Sequence, residues 1–181
     1  MSVRTRGSRH AKDLLKNEGA QVPVPVEKIA RKYAQVLRQT LPFDVSGMLV
    51  PLPPVERKSR WAIVVNADDA PVRQRFTIAH ELGHLIIHRY ATPHADGRYQ
   101  VRFRDERSAT GSVREEIEAN QFAAEFLMPE RDVRRLAIRF RLDVLDQTRD
   151  REAMKKLTDA ARRFQVSAQA LSFRIANLGM T

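Results

Sequence analysis

Residues 75–88 read RFTIAHELGHLIIH. His80 and His84 are four positions apart and Glu81 directly follows the first. On a helix this spacing puts the two imidazoles one turn apart on one face, where both can reach a single cation. Glu81 lies beside them, angled to hold a water on that cation rather than to bind it. This is the HExxH arrangement. In such a centre zinc polarises a carbonyl and acidifies water, while the glutamate takes the proton and later passes it to the leaving amine. The contrary reading is a buried helix that happens to be rich in histidine. Ala79, Leu82, Gly83, Leu85 and Ile86 are all uncharged, so the segment is built to be buried. Burying two histidines and a glutamate without partners is costly, which favours the metal centre.

Two histidines do not complete a catalytic zinc site, which normally has three protein ligands and one open position. His88 falls a further turn along but drifts off the His80–His84 line, and no glycine turns the chain between them. That excludes the longer HExxHxxGxxH pattern and makes His88 an outer residue supporting the site. The third ligand is expected from a second helix. Residues 115–129, EEIEANQFAAEFLMP, offer Glu115, Glu116, Glu118 and Glu125 in an apolar setting. Glu116 and Asn120 stand at i and i+4, so Glu116 can bind the metal while Asn120 hydrogen-bonds a ligand histidine. Glu118 competes for the ligand role, Glu115 less so, and Glu125 reads as a solvated helix glutamate. Phe122, Ala123, Phe126 and Leu127 form the packing stripe.

Around these two helices, a chain of 181 residues with 43% hydrophobic and 30% charged residues fits one soluble domain, or one domain with a small appendage. No apolar run approaches the roughly 18 residues of a membrane span. The first residues, MSVRTRGSRHAKD, lack the apolar segment of a secretory signal. With no cysteine, metal ligands must be His, Asp or Glu, and a cytoplasmic location is the economical expectation. The formal charge of +10 favours a polyanion or an acidic partner, or is a solvated basic surface.

Along the chain, residues 1–10 read as a flexible basic arm and Ser8 to Glu18 as a short helix stopped by Gly19. EKIARKYAQV (27–36) reads as helical, with Pro25 near its start. LPFDVSGMLVPLPP and RWAIVVNADD read as two strands, the second closed by a turn at Asn66–Asp69. Pro71 opens a helix running to about Tyr90. Residues 91–113 are polar and read as a long loop, with a short strand at Tyr99–Phe103. Helix returns at Arg114, stops at Pro129, and three basic helical stretches follow.

With RQRFTIAHELGHLIIH and EIEANQFAAEFLMPE joined by a polar stretch containing VRFRDERSATGS, the sequence resembles the ImmA/IrrE family of metallopeptidases. VSGMLVPL and WAIVVNADDAPVRQRF look like the family's strand and lead-in, FQVSAQALSFRIANLGM looks like its ending, and the resemblance covers roughly residues 20–181. It implies an α+β fold: a minimal thermolysin-like, gluzincin-type core with a small antiparallel or mixed sheet. The boundaries expected are an arm and helix over 1–19, a zinc metallopeptidase core over 20–130, and a basic helical subdomain over 131–181. It also implies Zn2+ bound by His80, His84 and Glu116, with Glu81 as general base. Tyr90, His88 and Tyr99 are candidates to stabilise an oxyanion. The substrates implied are helix-turn-helix repressors of mobile elements, stress regulons or toxin–antitoxin modules.

The last segment, LTDAARRFQVSAQALSFRIANL (157–178), has the cadence of a helix-turn-helix, with Ser167 as cap and Leu171, Ile175 and Leu178 on a buried face. Arg162, Arg163 and Arg174 are its candidate contacts to phosphate or to a partner. A helical subdomain packed on the core and presenting a partner accounts for the same pattern, and is preferred over nucleic-acid binding.

Overall fold

The computed structural model describes residues 6–53, 60–88, 94–97, 106–140 and 151–180. The fold is α+β, with seven helices and one four-stranded mixed sheet among these residues. Helix α1 (Arg6–Asn17) and the short α2 (Val26–Ala30) precede strand β1 (Gln35–Gln39). Strands β2 (Val45–Pro51) and β3 (Trp61–Asn66) lead into helix α3 (Pro71–Ile87). After β4 (His94–Gly97) come α4 (Glu106–Leu127), α5 (Glu130–Phe140), α6 (Arg151–Phe164) and α7 (Ala168–Asn177).

The sheet order is β1-β3-β2-β4, with β1 parallel to β3 and the other two pairings antiparallel. Its centre is β3, whose Ala62, Ile63, Val64 and Val65 are all buried, as a β-branched run covered on both faces should be. Asn66 ends the strand. Its buried amide donates to the carbonyls of Leu41 and Val45 and accepts from the amides of Leu41 and Asp68, pinning the 41–45 connection to the turn before α3. Pro71 then starts α3 at the position where a missing N–H costs nothing.

Four elements differ from the sequence expectation. The helix expected over 27–36 ends at Ala30, and residues 35–39 form β1, paired in register with residues 62–66. Only Val36 of this edge strand is buried, so the segment has almost no apolar alternation of its own and takes its conformation from β3. Residues 94–97, expected in the long loop, form β4 against β2. Helix α4 starts at Glu106, two turns before Arg114. At the amino end α1 begins at Arg6, so residues 6–10 are helical, and Gly7, Ala11 and Leu14 are buried. The strand expected at Tyr99–Phe103 and residues 1–5 lie outside the described residues.

The core is built where α4 crosses α3 and α1. Ile78 and Leu82 of α3 and Phe122 and Phe126 of α4 are fully enclosed, and the two phenylalanine rings stack with centroids 5.4 Å apart. Two glycines set how closely the helices approach. A Cβ at Gly7 would overlap the Glu118 carbonyl oxygen, so α1 lies directly on the backbone of α4. A Cβ at Gly83, inside the HELGH turn, would come within 2.9 Å of the Phe122 ring. The bare α position of Gly83 therefore lets the histidine helix and the glutamate helix meet.

Candidate metal centre

Helix α3 holds His80, Glu81 and His84 on its buried side, each almost wholly enclosed. The two Nε2 atoms face each other at 2.9 Å. From α4, Glu116 brings its Oε2 to 3.2 Å of His80 Nε2 and its Oε1 to 3.2 Å of His84 Nε2. One ligand atom from each residue lies within 4.8 Å of the others, the one such trio found among the described residues. A tetrahedral ion with bonds of about 2.0–2.1 Å keeps its donors roughly 3.3 Å apart, so the spacing suits a small divalent metal. The donor set, two neutral imidazoles and a carboxylate, also fits. Glu116 remains 33% exposed at the side chain, which leaves an approach from solvent.

The other nitrogen of each ligand histidine is engaged. His80 Nδ1 lies 3.2 Å from Asn120 Oδ1, one turn beyond Glu116 on α4. An amide oxygen only accepts, so His80 carries its proton on Nδ1 and presents a bare Nε2 to the centre. His84 Nδ1 lies 3.2 Å from His88 Nδ1, and His88 Nε2 lies 3.0 Å from Glu118 Oε2. The carboxylate accepts from His88 Nε2–H, His88 Nδ1 then accepts from His84 Nδ1–H, and His84 Nε2 is left as the donor atom.

Glu118 is thereby distinguished from Glu116. About 200° around the helix from Glu116, it meets Arg114 at 3.1 Å and Arg6 of α1 at 3.5 Å as well as His88. Burial alone would raise its carboxyl, but the hydrogen bonds from His88 and Arg114 and the charge of Arg6 outweigh this and hold it below the usual range. Arg6 also donates to the Ile87 carbonyl at 3.0 Å, tying α1 to the end of α3. Glu115 does not join the trio that could hold a metal.

The sequence prediction for Glu125 fails. It is buried and forms an ion pair with Arg174 of α7. Arg174 also donates to the Met128 carbonyl at 3.2 Å. Arg174, expected to contact phosphate or a partner, is therefore turned into the protein and neutralised there. Arg162 and Arg163 stay on the exposed face of α6, Arg162 paired with Asp159 at 3.1 Å, far along the chain from the centre. Tyr90 and Tyr99 lie outside the described residues.

Sequence reasoning missed Gly83 and Gly7 as spacers, the Arg6 contribution, and the Glu125–Arg174 pair. A signal for the last was present: Glu125 interrupts an apolar run, FAAEFLM, where an unpartnered carboxylate could not be buried.

The profile of a family described as Peptidase M78, IrrE N-terminal-like domain, matches residues 39–176. The chain belongs to this family. Among solved structures it is similar to a Mycobacterium tuberculosis transcriptional regulator, with a TM-score of 0.58 at 18% identity. That likeness covers 94% of this chain and 46% of the other, so the chain spans under half the length of that protein and shares its fold over that part. No match is found among curated proteins. Family membership carries the fold and a metallopeptidase-like character to this chain.

Proposed function

We propose that this family member is a cytoplasmic zinc-dependent endopeptidase that makes limited, site-specific cuts in a helix-turn-helix transcriptional regulator. The repressor of a mobile element, of a stress regulon or of a toxin–antitoxin module is the kind of substrate meant. The observation that carries the proposal is the convergence of His80, His84 and Glu116 beside the enclosed Glu81. In this reading residues 20–130 form a minimal thermolysin-like core and 131–181 a basic, helix-turn-helix-like subdomain.

Zinc, when held by the two histidines and Glu116, supplies Lewis acidity toward a carbonyl oxygen and toward water. The chain's own groups do the rest. Glu81 takes a proton from the attacking water and returns it to the leaving amine. Asn120 keeps His80, and His88 with Glu118 keeps His84, in the tautomer that leaves Nε2 free to bind.

Co-expression with a regulator encoded nearby tests the proposal. The wild-type protein yields two discrete fragments, the Glu81→Gln protein none, and a chelator stops the cut. Complete cutting by Glu81→Gln, or a zinc content near zero after gentle purification, overturns it.

A second reading is a regulator that acts by binding a repressor or DNA, for example as a toxin–antitoxin component. It is favoured by the formal charge of +10 and by the exposed Arg151, Lys155, Arg162 and Arg163 on α6. Its mark is DNA binding with a steep salt dependence that His80→Ala leaves unchanged.

A further inference from the structure

A groove of about 510 Å³ runs between α3, the last turns of α4, and α7. Val72 and Phe76 of α3, Ala124 and Met128 of α4, and Ala170 and Phe173 of α7 make its apolar walls. One end adjoins the candidate metal centre through Phe76 and Asn120. Phe76 stacks on the His80 imidazole, centroids 6.3 Å apart, and Asn120, which also lines the groove, is the partner of His80 Nδ1.

Two features define what fits there. Phe173 is 62% exposed and Val72 37% exposed, on opposite walls, so large apolar surface is left in water next to the candidate centre. The volume falls within the roughly 300–1,000 Å³ of sites that enclose drug-sized ligands. Among the described residues, the lining includes no carboxylate. Its charged members are Arg73 and Arg174, and Arg174 is held by Glu125. Asn120, Gln169 and Asn177 add neutral amide donors and acceptors, suited to the backbone of an extended peptide.

The α7 wall is fixed in place. Arg174 joins it to Glu125 and to the Met128 carbonyl, and Arg75 of α3 donates to the Gln165 carbonyl at 3.2 Å in the turn ahead of α7. Ser167 caps α7 by accepting from the Ala170 amide.

We propose that this groove receives the apolar side chains of the substrate segment beside the bond that is cut, with Phe173 as a specificity-determining residue. The inference rests on the peptidase reading and gives it a substrate class: segments with large aliphatic or aromatic residues next to the cut, rather than basic ones. A lysine entering the groove would lose its water with no carboxylate among the described lining residues to receive it, Arg73 and Arg174 being already paired with Asp69 and Glu125. The C-terminal helices then act as a reader of substrate.

Methionine methyl NMR on the full chain in chelator tests this. Met128 lines the groove, and Met154 on the outer face of α6 serves as a control. On titration with acetyl-Ala-Phe-Leu-Ala-amide the Met128 signal shifts saturably while Met154 stays. Acetyl-Ala-Lys-Lys-Ala-amide binds at least about tenfold more weakly, the scale set by burying one large apolar side chain. Phe173→Ala, a change at an exposed position that leaves the fold intact, weakens binding of the first peptide by about the same factor. Ala170→Trp fills the groove and abolishes the shift. An unmoved Met128 signal, equal affinity for the two peptides, or wild-type binding by both variants overturns the proposal. No bond is cut in this experiment, so a fully active Glu81→Gln protein would end the peptidase reading without touching the result. Failure here would leave Glu81-dependent cutting intact.

Discussion

Helix α4 holds carboxylates against neighbouring helices at two places, and the two are completed in opposite ways. Near its end, Glu125 meets cations that the chain itself provides, Arg174 from α7 and Lys12 from α1 at 3.8 Å. In its middle, Glu116 faces the Nε2 atoms of two histidines whose other nitrogens are committed as donors. The first place is a closed ion pair. The second is a set of acceptor atoms turned toward a common point, an arrangement that a small cation completes. Glu118, two positions from Glu116, belongs with the first kind, since Arg6, Arg114 and His88 surround it. Whether a carboxylate on α4 closes an ion pair or faces a candidate metal site is thus decided by which groups the neighbouring helices bring, and residue type alone does not decide it.

The contrast is strongest at Glu125. Arg174→Met leaves a buried carboxylate without its main cation and should lower unfolding free energy in urea by about 3–5 kcal/mol. Glu125→Met combined with Arg174→Met should recover most of that loss, because no uncompensated charge remains. If the single and double variants unfold together, the pair is not the closed charge site described. At the other centre, Glu116→Gln should weaken zinc binding by more than about a hundredfold, beyond the usual effect of losing an outer partner. Its metal-free protein should melt close to the wild type, and competition with a chromophoric chelator reads the affinity.

A smaller effect is expected at Glu118. Glu118→Gln keeps an acceptor but removes the charge behind His88, and should cost about 10–100-fold in zinc affinity. Were Glu118 the ligand and Glu116 the support, the two losses would swap order. The smallest effect is at the surface, where hydrogen bonding from Arg38 holds the Glu27 carboxyl at about 2, with Arg31 adding to it, against an ordinary 4.5. A lowered folded value means that its contribution is fully present above pH 4.5 and disappears as the pH falls toward 2. The stability difference between wild type and Glu27→Gln should therefore shrink across that window in acid titrations, while a constant difference would remove Glu27 from the account.

What the sequence discloses follows the range of the interactions. His80, Glu81 and His84 are legible because their relation is local, one helical turn, and α3 needs no distant partner to place them on one face. Strand β3 is legible because Ile63, Val64 and Val65 are a β-branched run by themselves. Strand β1 is not, since QVLRQ is extended only through residues 62–66, and its exposed edge carries no alternation. Of the two Glu candidates on α4, the spacing to Asn120 favours Glu116, but the contacts that set Glu118 apart are not local. Their difference comes from Arg6, more than a hundred residues away in the chain. Glu125 was misread for the same reason, its partner lying 49 positions on. The long polar stretch before Arg114 hides the first turns of α4, which have little apolar pattern to announce them.

The lock between Glu125 and Arg174 also has a consequence in time. A ribosome delivers the HELGH turn and the Glu116 helix well before it delivers α7. Until Arg174 emerges, Glu125 has Lys12 at 3.8 Å but not its main cation, and α4 lacks its tie to α7. The nascent chain therefore carries all three residues of the candidate centre before it carries the arginine that ties α4 to α7, so the ion pair closes after the centre's residues have been made.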